Sequence, residues 1–415
     1  MNRRVVLLLA TTFLSSSAAL AGVTALGKLV FDITHRDLAL GFLGLAEFMP
    51  ALLLVLVTGS VADRFDRRRV TAIAATAEGG VALLLGLYAG SHPTAVAPIF
   101  ILVVLFGVAR AFVAPASRSL PADIVPASRL PWLIARYSAT WQASIIVGPV
   151  LGGTLYAIDP MWPFVAMAIL LGLAAVCVLG IELDPTVIID EPLVEAAVEP
   201  AIGHAAETDE KPSLREAMEG LRFIRHHPLL LGAISLDLFA VLFGGAVALL
   251  PAIAEERLGA GAVGLGWLRA AGGIGAAIIT LGLAWRPLQR HVGKVLLVAV
   301  ACFGAFTIVL GSTRSYVVAF LALAALSGAD SISVFVRATL VPLVTPQDKR
   351  GRVLAVENVF IGASNELGAF ESGVAGEILG SAGAVMLGGA ATLAVALTWF
   401  LAFPALRDVD RFPDS

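Results

Sequence analysis

Residues 59–70 read GSVADRFDRRRV, with apolar runs on either side at about 38–60 and 70–90. Two greasy segments joined by a short, arginine-rich turn make this a loop between membrane-spanning helices. Gly59 lets the end of one helix approach another backbone closely. Asp63 can sit near a neighbouring helix amino terminus, where a carboxylate is favoured. Arg64, Arg67, Arg68 and Arg69 can pair with Asp63 and Asp66 and meet anionic head groups. The plainer reading is a positively charged cytoplasmic loop with no further role.

The same texture extends over the whole chain. Of 415 residues, 58% are hydrophobic and only 14% charged, where soluble domains carry about 25% charged residues. Further apolar runs fall at about 5–31, 95–117, 131–157, 161–182, 229–252, 259–284, 293–311, 315–337, 353–376 and 382–404. Each is near the ~20 residues that a spanning helix needs. In lipid their backbone groups need internal partners, so they are expected to be helices. They are too long and uniform for barrel strands. The expected fold is an all-α integral membrane protein of twelve transmembrane helices.

This pattern excludes a disordered chain, a disulfide scaffold and an ordinary cytosolic enzyme. Net charge is −3, so nothing invites nucleic acid. Cys177 and Cys302 lie in apolar runs without a CxxC partner and read as small buried hydrophobes. No Gly-rich Lys-Ser/Thr loop for ATP is present, and no metal site or cofactor is expected. The first residues, MNRRVVLLLATTFLSSSAALAG, have the layout of a secretory signal, but the apolar run continues to Phe31, longer than such a signal requires.

Orientation follows from lysine and arginine in alternate loops. With a cytoplasmic amino terminus, the inside segments hold twenty, including Arg64, Arg118, Arg222, Arg290, Arg352 and Arg407. The outside loops hold three, Arg36, Arg257 and Arg314. Both termini are therefore expected to be cytoplasmic. Residues 1–182 form one six-helix bundle, 183–228 a linker, 229–406 a second bundle and 407–415 a tail. The linker opens acidic and flexible. It closes at Ser213–His226 as an amphipathic helix along the inner membrane surface, with Leu214, Met218 and Leu221 at helical spacing among arginines. His226-His227 reads as an interfacial turn.

The pattern formed by Gly59, Asp63, Arg64, Arg67 and Arg68 resembles the signature loop of the major facilitator superfamily. That family usually has glycine where this chain has Asp66, a departure common among drug and siderophore exporters. Gly148-Pro149-Val150-Leu151-Gly152-Gly153 resembles the span-five motif of antiporters. Gly107 to Ala116 with Leu120-Pro121, Gly351-Arg352-Val353, and Phe360 to Phe370 (FIGASNELGAF) resemble the enterobactin- and macrolide-exporter branch. The equivalent loop in the second half, Trp285 to Lys294, has Arg286 and Arg290 but no aspartate. The resemblance implies a monomer of two bundles around a central cavity, working by alternating access. It also implies that the Asp63 loop latches the halves on the cytoplasmic side.

Charges at membrane depth are expensive and default to function. Glu47, Arg110, Asp237, Asp330, Glu357 and Glu366 fall deepest and are the candidates for cavity lining and proton coupling. A carboxylate in a low-dielectric cavity can exchange protons near neutral pH. Arg110 stays charged and needs a carboxylate or anionic substrate opposite. Glu357 and Glu366, nine residues apart, point to opposite helix faces, while Asn358 and Asn365 share one. Glu78 and Arg269 also lie within runs. Arg136 and Arg337 read as interfacial, Glu371 as near the outer edge, and Lys28 as either snorkelling outward or buried, with Asp32 just past the membrane. The expected function is proton-coupled efflux of a small amphipathic molecule, of drug or siderophore class, across a bacterial inner membrane. The alternatives are an uptake permease or lipid-type facilitator of the same fold, and a transport-dead receptor or scaffold. A membrane-embedded enzyme lacks any nucleophile-base constellation.

Overall fold

A computed structural model describes residues 2–121, 124–182 and 214–413. Within them, the side chains of 55–57, 59, 60, 62, 63, 114–116, 118, 119, 127 and 214–217 fall outside the description. The acidic stretch 183–213 and the side chain of Asp63 are thus outside the described residues, as are the side-chain roles expected for Gly59, Leu214 and Arg118.

The described residues are helical, with no strand among them. Six long helices come first: α1 Arg3–Thr34, α2 Asp37–Arg64, α3 Arg67–Gly90, α4 Ala97–Ser119, α5 Leu130–Ile158 and α6 Trp162–Leu179. The short α7, Leu214–His226, follows the linker. Next come α8 Pro228–Phe243, α9 Gly261–Trp285, α10 Val292–Ser312, α11 Tyr316–Val344, α12 Gln347–Leu379 and α13 Ser381–Ala402. Beyond Phe243 the helical path of α8 continues irregularly, through a 3-10 turn at Gly245–Leu249 and a π-helical turn at Ile253–Arg257.

Several starts are set by proline in the first turn, where its missing N–H costs nothing. This holds for α4, α5, α6 and α8. The 32 residues of α1 extend about 48 Å at 1.5 Å per residue, longer than a hydrocarbon core of about 30 Å. This helix runs unbroken through the small residues Ala19 and Ala21.

Among the described residues, ten helices are long and apolar enough to cross a membrane. Ala97–Val113 of α4 is a shorter apolar stretch, and α12, the most charged of the long helices, does not qualify by composition. Many large apolar side chains point outward, among them Ile73 at 70% exposure and Ile378 at 75%. A water-facing surface would not carry them at this density; a lipid-facing one does.

The helices cluster into two compact units. One holds α1–α6 and Gly259–Ala270; the other holds α7, α8 and the chain from Ala271 on. In the first, α1 packs on α5 and α6, and α3 on α4 and α6. In the second, α8 packs on α12 and α13, and α10 on α11 and α13. These named pairings follow the same serial order in both units. Close approach is built in by small residues. A Cβ on Gly152 of α5 would lie 2.4 Å from the Ala21 carbonyl oxygen of α1, so only glycine permits this contact.

Candidate transport site

In the second unit, three charges on three helices meet inside the protein. Arg337 of α11 bonds Asp237 of α8 at 2.7 Å and lies 3.7 Å from Glu357 of α12. All three side chains are at most 8% exposed. Arg337 Nε is buried with no hydrogen-bond partner. Asp330, two turns earlier on α11, has Asp237 and Arg337 as its electrostatic neighbours. The geometry explains the burial, because an unpaired charge here would carry the full desolvation penalty. Arg337 faces two acids, so with all three groups ionised the trio carries one formal negative charge in surplus.

Arg337 is the correction to the sequence reading. Counting from the run's end places it at the membrane edge. The helix actually continues to Val344, so the guanidinium lies among packed helices. Its two partners are distant in sequence, and no local pattern announces them.

The first unit assembles a second group. Arg110 Nε of α4 stands 4.0 Å from Glu47 Oε1 of α2, with Phe106 beneath its guanidinium. Gly107 sets this up. A Cβ there would lie 2.6 Å from the Glu47 carbonyl oxygen, so bare backbone lets α4 touch α2 one turn before Arg110. Glu78 of α3 is 2% exposed, its Oε1 has no hydrogen-bond partner, and Arg110 and Glu47 are its electrostatic neighbours. Glu47 is also the electrostatic neighbour of Arg269, whose Nε is buried without a partner.

A third cluster joins α1 to α5. Lys28 is 7% exposed and paired with Asp32, one turn on. The Tyr156 hydroxyl donates to the other oxygen of Asp32 at 2.8 Å. Of the two positions open to Lys28, the structure takes the buried one, because Asp32 and Tyr156 supply its counter-charge and polar company.

The remaining candidates are dispersed. Glu366 is half-buried on α12, and Glu371 lies one turn beyond. Asn358 is buried whereas Asn365, on the same helix face, is exposed and donates to the Ile361 carbonyl. Arg136 is exposed and stacks 3.9 Å over Trp132. Gly148 and Gly152 contact α1, while Gly153 packs on Ala262 and Gly266. No cluster of three metal-ligating side chains occurs among the described residues.

In the α2–α3 loop, the carboxylate that caps a helix is Asp66. Its Oδ1 accepts the Arg68 backbone N–H at 3.0 Å, and its Oδ2 pairs with the Arg68 guanidinium at 2.7 Å. Arg68 also donates to the Ile181 carbonyl at 2.6 Å, tying the loop to the end of α6. The Arg68 hydrogen bonds hold the Asp66 carboxyl below the usual carboxylate range. Asp66, the residue that departs from the usual glycine, is thus the N-cap of α3.

Comparison with known proteins agrees with this architecture. The family model described as Major Facilitator Superfamily matches residues 5–368. The multidrug efflux pump Tap of Mycobacterium tuberculosis is 26% identical over 393 residues, covering 89% of this chain and 86% of that protein. The pump of the same name from Mycolicibacterium fortuitum is 27% identical over 426 residues, covering 94% and 93%. Among solved structures, a POT family transporter in complex with 5-aminolevulinic acid superposes with a TM-score of 0.72 at 12% identity, over 98% of this chain and 97% of that one.

Proposed function

The chain belongs to the Major Facilitator Superfamily of transporters, and on that footing we propose that it exports a small amphipathic organic molecule against proton entry. It is a multi-pass membrane protein. In our reading it has twelve spans in a bacterial inner membrane with both termini cytoplasmic. The bundles are 1–182 and 229–406, joined by the linker 183–228, and the protein acts as a monomer.

The direction is drawn from the relatives, which are named as multidrug efflux pumps. The observation that carries the coupling is the buried Asp237–Arg337–Glu357 trio. One proton charge moving inward gains about 2.3 kcal/mol per 100 mV, enough to drive substrate outward when both share an alternating-access cycle. Loading the trio with a proton removes its surplus charge and weakens the hold of Arg337 on one of its acids. That makes the joint between α8, α11 and α12 responsive to protonation. Glu47 and Arg110 are the cavity groups of the other unit, and Glu366 is a further lining carboxylate. The Gly59, Asp63, Arg64, Arg67 and Arg68 loop acts as the cytoplasmic latch, and Gly148, Pro149, Gly152 and Gly153 keep α5 closely packed during the cycle.

The test uses everted membrane vesicles and a fluorescent cationic dye as probe. Accumulation should follow an imposed proton gradient, collapse when the gradient is discharged, and fall at least tenfold with Asp237→Asn or Glu357→Gln. Accumulation that survives discharge of the gradient rejects coupling.

A further inference from the structure

The junction of α7 with the start of α12 holds a polar pocket of about 330 Å³, apart from the charge clusters described above. Glu219, Arg222 and His226 line it from α7, at steps of three and four that place them on one helix face. Lys349 and Arg352, three apart, line it from α12. Three cations thus face a single carboxylate, and that carboxylate is already engaged by Arg352 at 2.8 Å.

The pocket is held in shape. A Cβ on Gly220 would lie 2.7 Å from the Arg352 carbonyl oxygen, so the two backbones touch. Ile224, 1% exposed, anchors α7 in a core with Val353 and Val356. Lys349 Nζ sits 4.8 Å over the Phe223 ring, and His226 Nδ1 donates to the Arg222 carbonyl at 2.7 Å. Met218 and Leu221, at helical spacing on α7, are 68% and 44% exposed. An exposed apolar pair beside a cationic pocket, on an amphipathic helix, fits the headgroup–acyl boundary of a bilayer.

We propose that this pocket binds the phosphate of an anionic inner-leaflet phospholipid, with Arg222, Lys349 and Arg352 on the headgroup and Met218 and Leu221 against the acyl chains. Arginine supplies forked donors suited to phosphate oxygens, and lysine a point charge. The site rests on the membrane reading of the chain but not on its direction of transport or its coupling.

The full-length protein, delipidated in detergent, is titrated with phosphatidylglycerol, phosphatidylcholine or inorganic phosphate while its melting temperature and intrinsic fluorescence are followed. Phosphatidylglycerol should stabilise it saturably, with little effect of the other two. Each of Arg222→Gln, Lys349→Gln and Arg352→Gln should weaken the apparent affinity about five-fold. Glu219→Gln removes the one opposing charge and should strengthen it, a direction that damage to the fold cannot mimic. Equal stabilisation by inorganic phosphate would assign the pocket to a soluble anion and overturn the lipid assignment. Unchanged affinity in the three glutamine variants would overturn the site. Dye transport is not read here, so this result and the export test fail separately.

Discussion

Arg337 and Asp237 lie a hundred residues apart in sequence and 2.7 Å apart in the fold, and the bond between them joins α11 to α8 with both groups sealed from solvent. A pair of this kind is expensive to make and more expensive to break on one side.

The first prediction follows from that asymmetry. Asp237→Ala leaves Arg337 with only the longer contact to Glu357 and should cost about 3–5 kcal/mol. Replacing the pair together, Asp237→Leu with Arg337→Met, should recover most of that stability yet leave transport dead. Thermal unfolding and dye accumulation measured on the same preparations separate the two effects. Equal losses of stability in the single and double variants would contradict the account.

Arg110 and Glu47 form a looser pair, 4.0 Å apart, with side chains 33% and 26% exposed. Here stability should barely move, by less than about 1 kcal/mol, when Glu47→Gln is made. Transport should fall more than tenfold if Arg110 needs its partner to stay oriented. A charge-preserving Glu47→Asp is expected to retain partial activity, measured by dye accumulation at matched expression.

Gly152 has no room for a side chain against Ala21. Gly152→Val should therefore destabilise the first unit by about 1–3 kcal/mol through overpacking. A compensating change is unavailable, because the obstacle is backbone carbonyl rather than a flexible side chain. The melting temperature in detergent reads this directly.

Tyr156 donates to Asp32 and so helps to hold the counter-charge of buried Lys28. Tyr156→Phe should cost about 1.5–3 kcal/mol, the net worth of one hydrogen bond to a charged group. A loss above about 3 kcal/mol would mean the hydroxyl does more than orient Asp32.

In the α2–α3 loop, Asp66 is held below its ordinary carboxylate range by Arg68. Its contribution is therefore fully present above the unfolded value of about 3.9 and is lost as pH falls through the lower folded value. Asp66→Asn keeps a capping oxygen and removes the charge. It should cost less than about 1 kcal/mol at pH 7, and the difference from wild type should shrink as pH falls below the unfolded value. A difference that persists there would place the effect in the cap, not the ion pair.

The span pattern, the arginine-rich loop and the glycine positions were legible because each is local. Hydrophobicity repeats within one helix, and a glycine beside a proline marks close packing whichever helix approaches. Charge partners are another matter. Glu47, Arg110, Asp237 and Glu357 are costly at membrane depth on sequence alone, but Arg337 reads as an edge residue and Lys28 fits two positions. Their burial depends on which helices come together.

By itself the sequence determined that the chain crosses a membrane as helices, since runs of twenty apolar residues have no other way to satisfy their backbone in lipid. Only the tertiary structure decided which buried charges neutralise one another. An ion pair across three helices is fixed by packing over distances that no periodicity along the chain encodes.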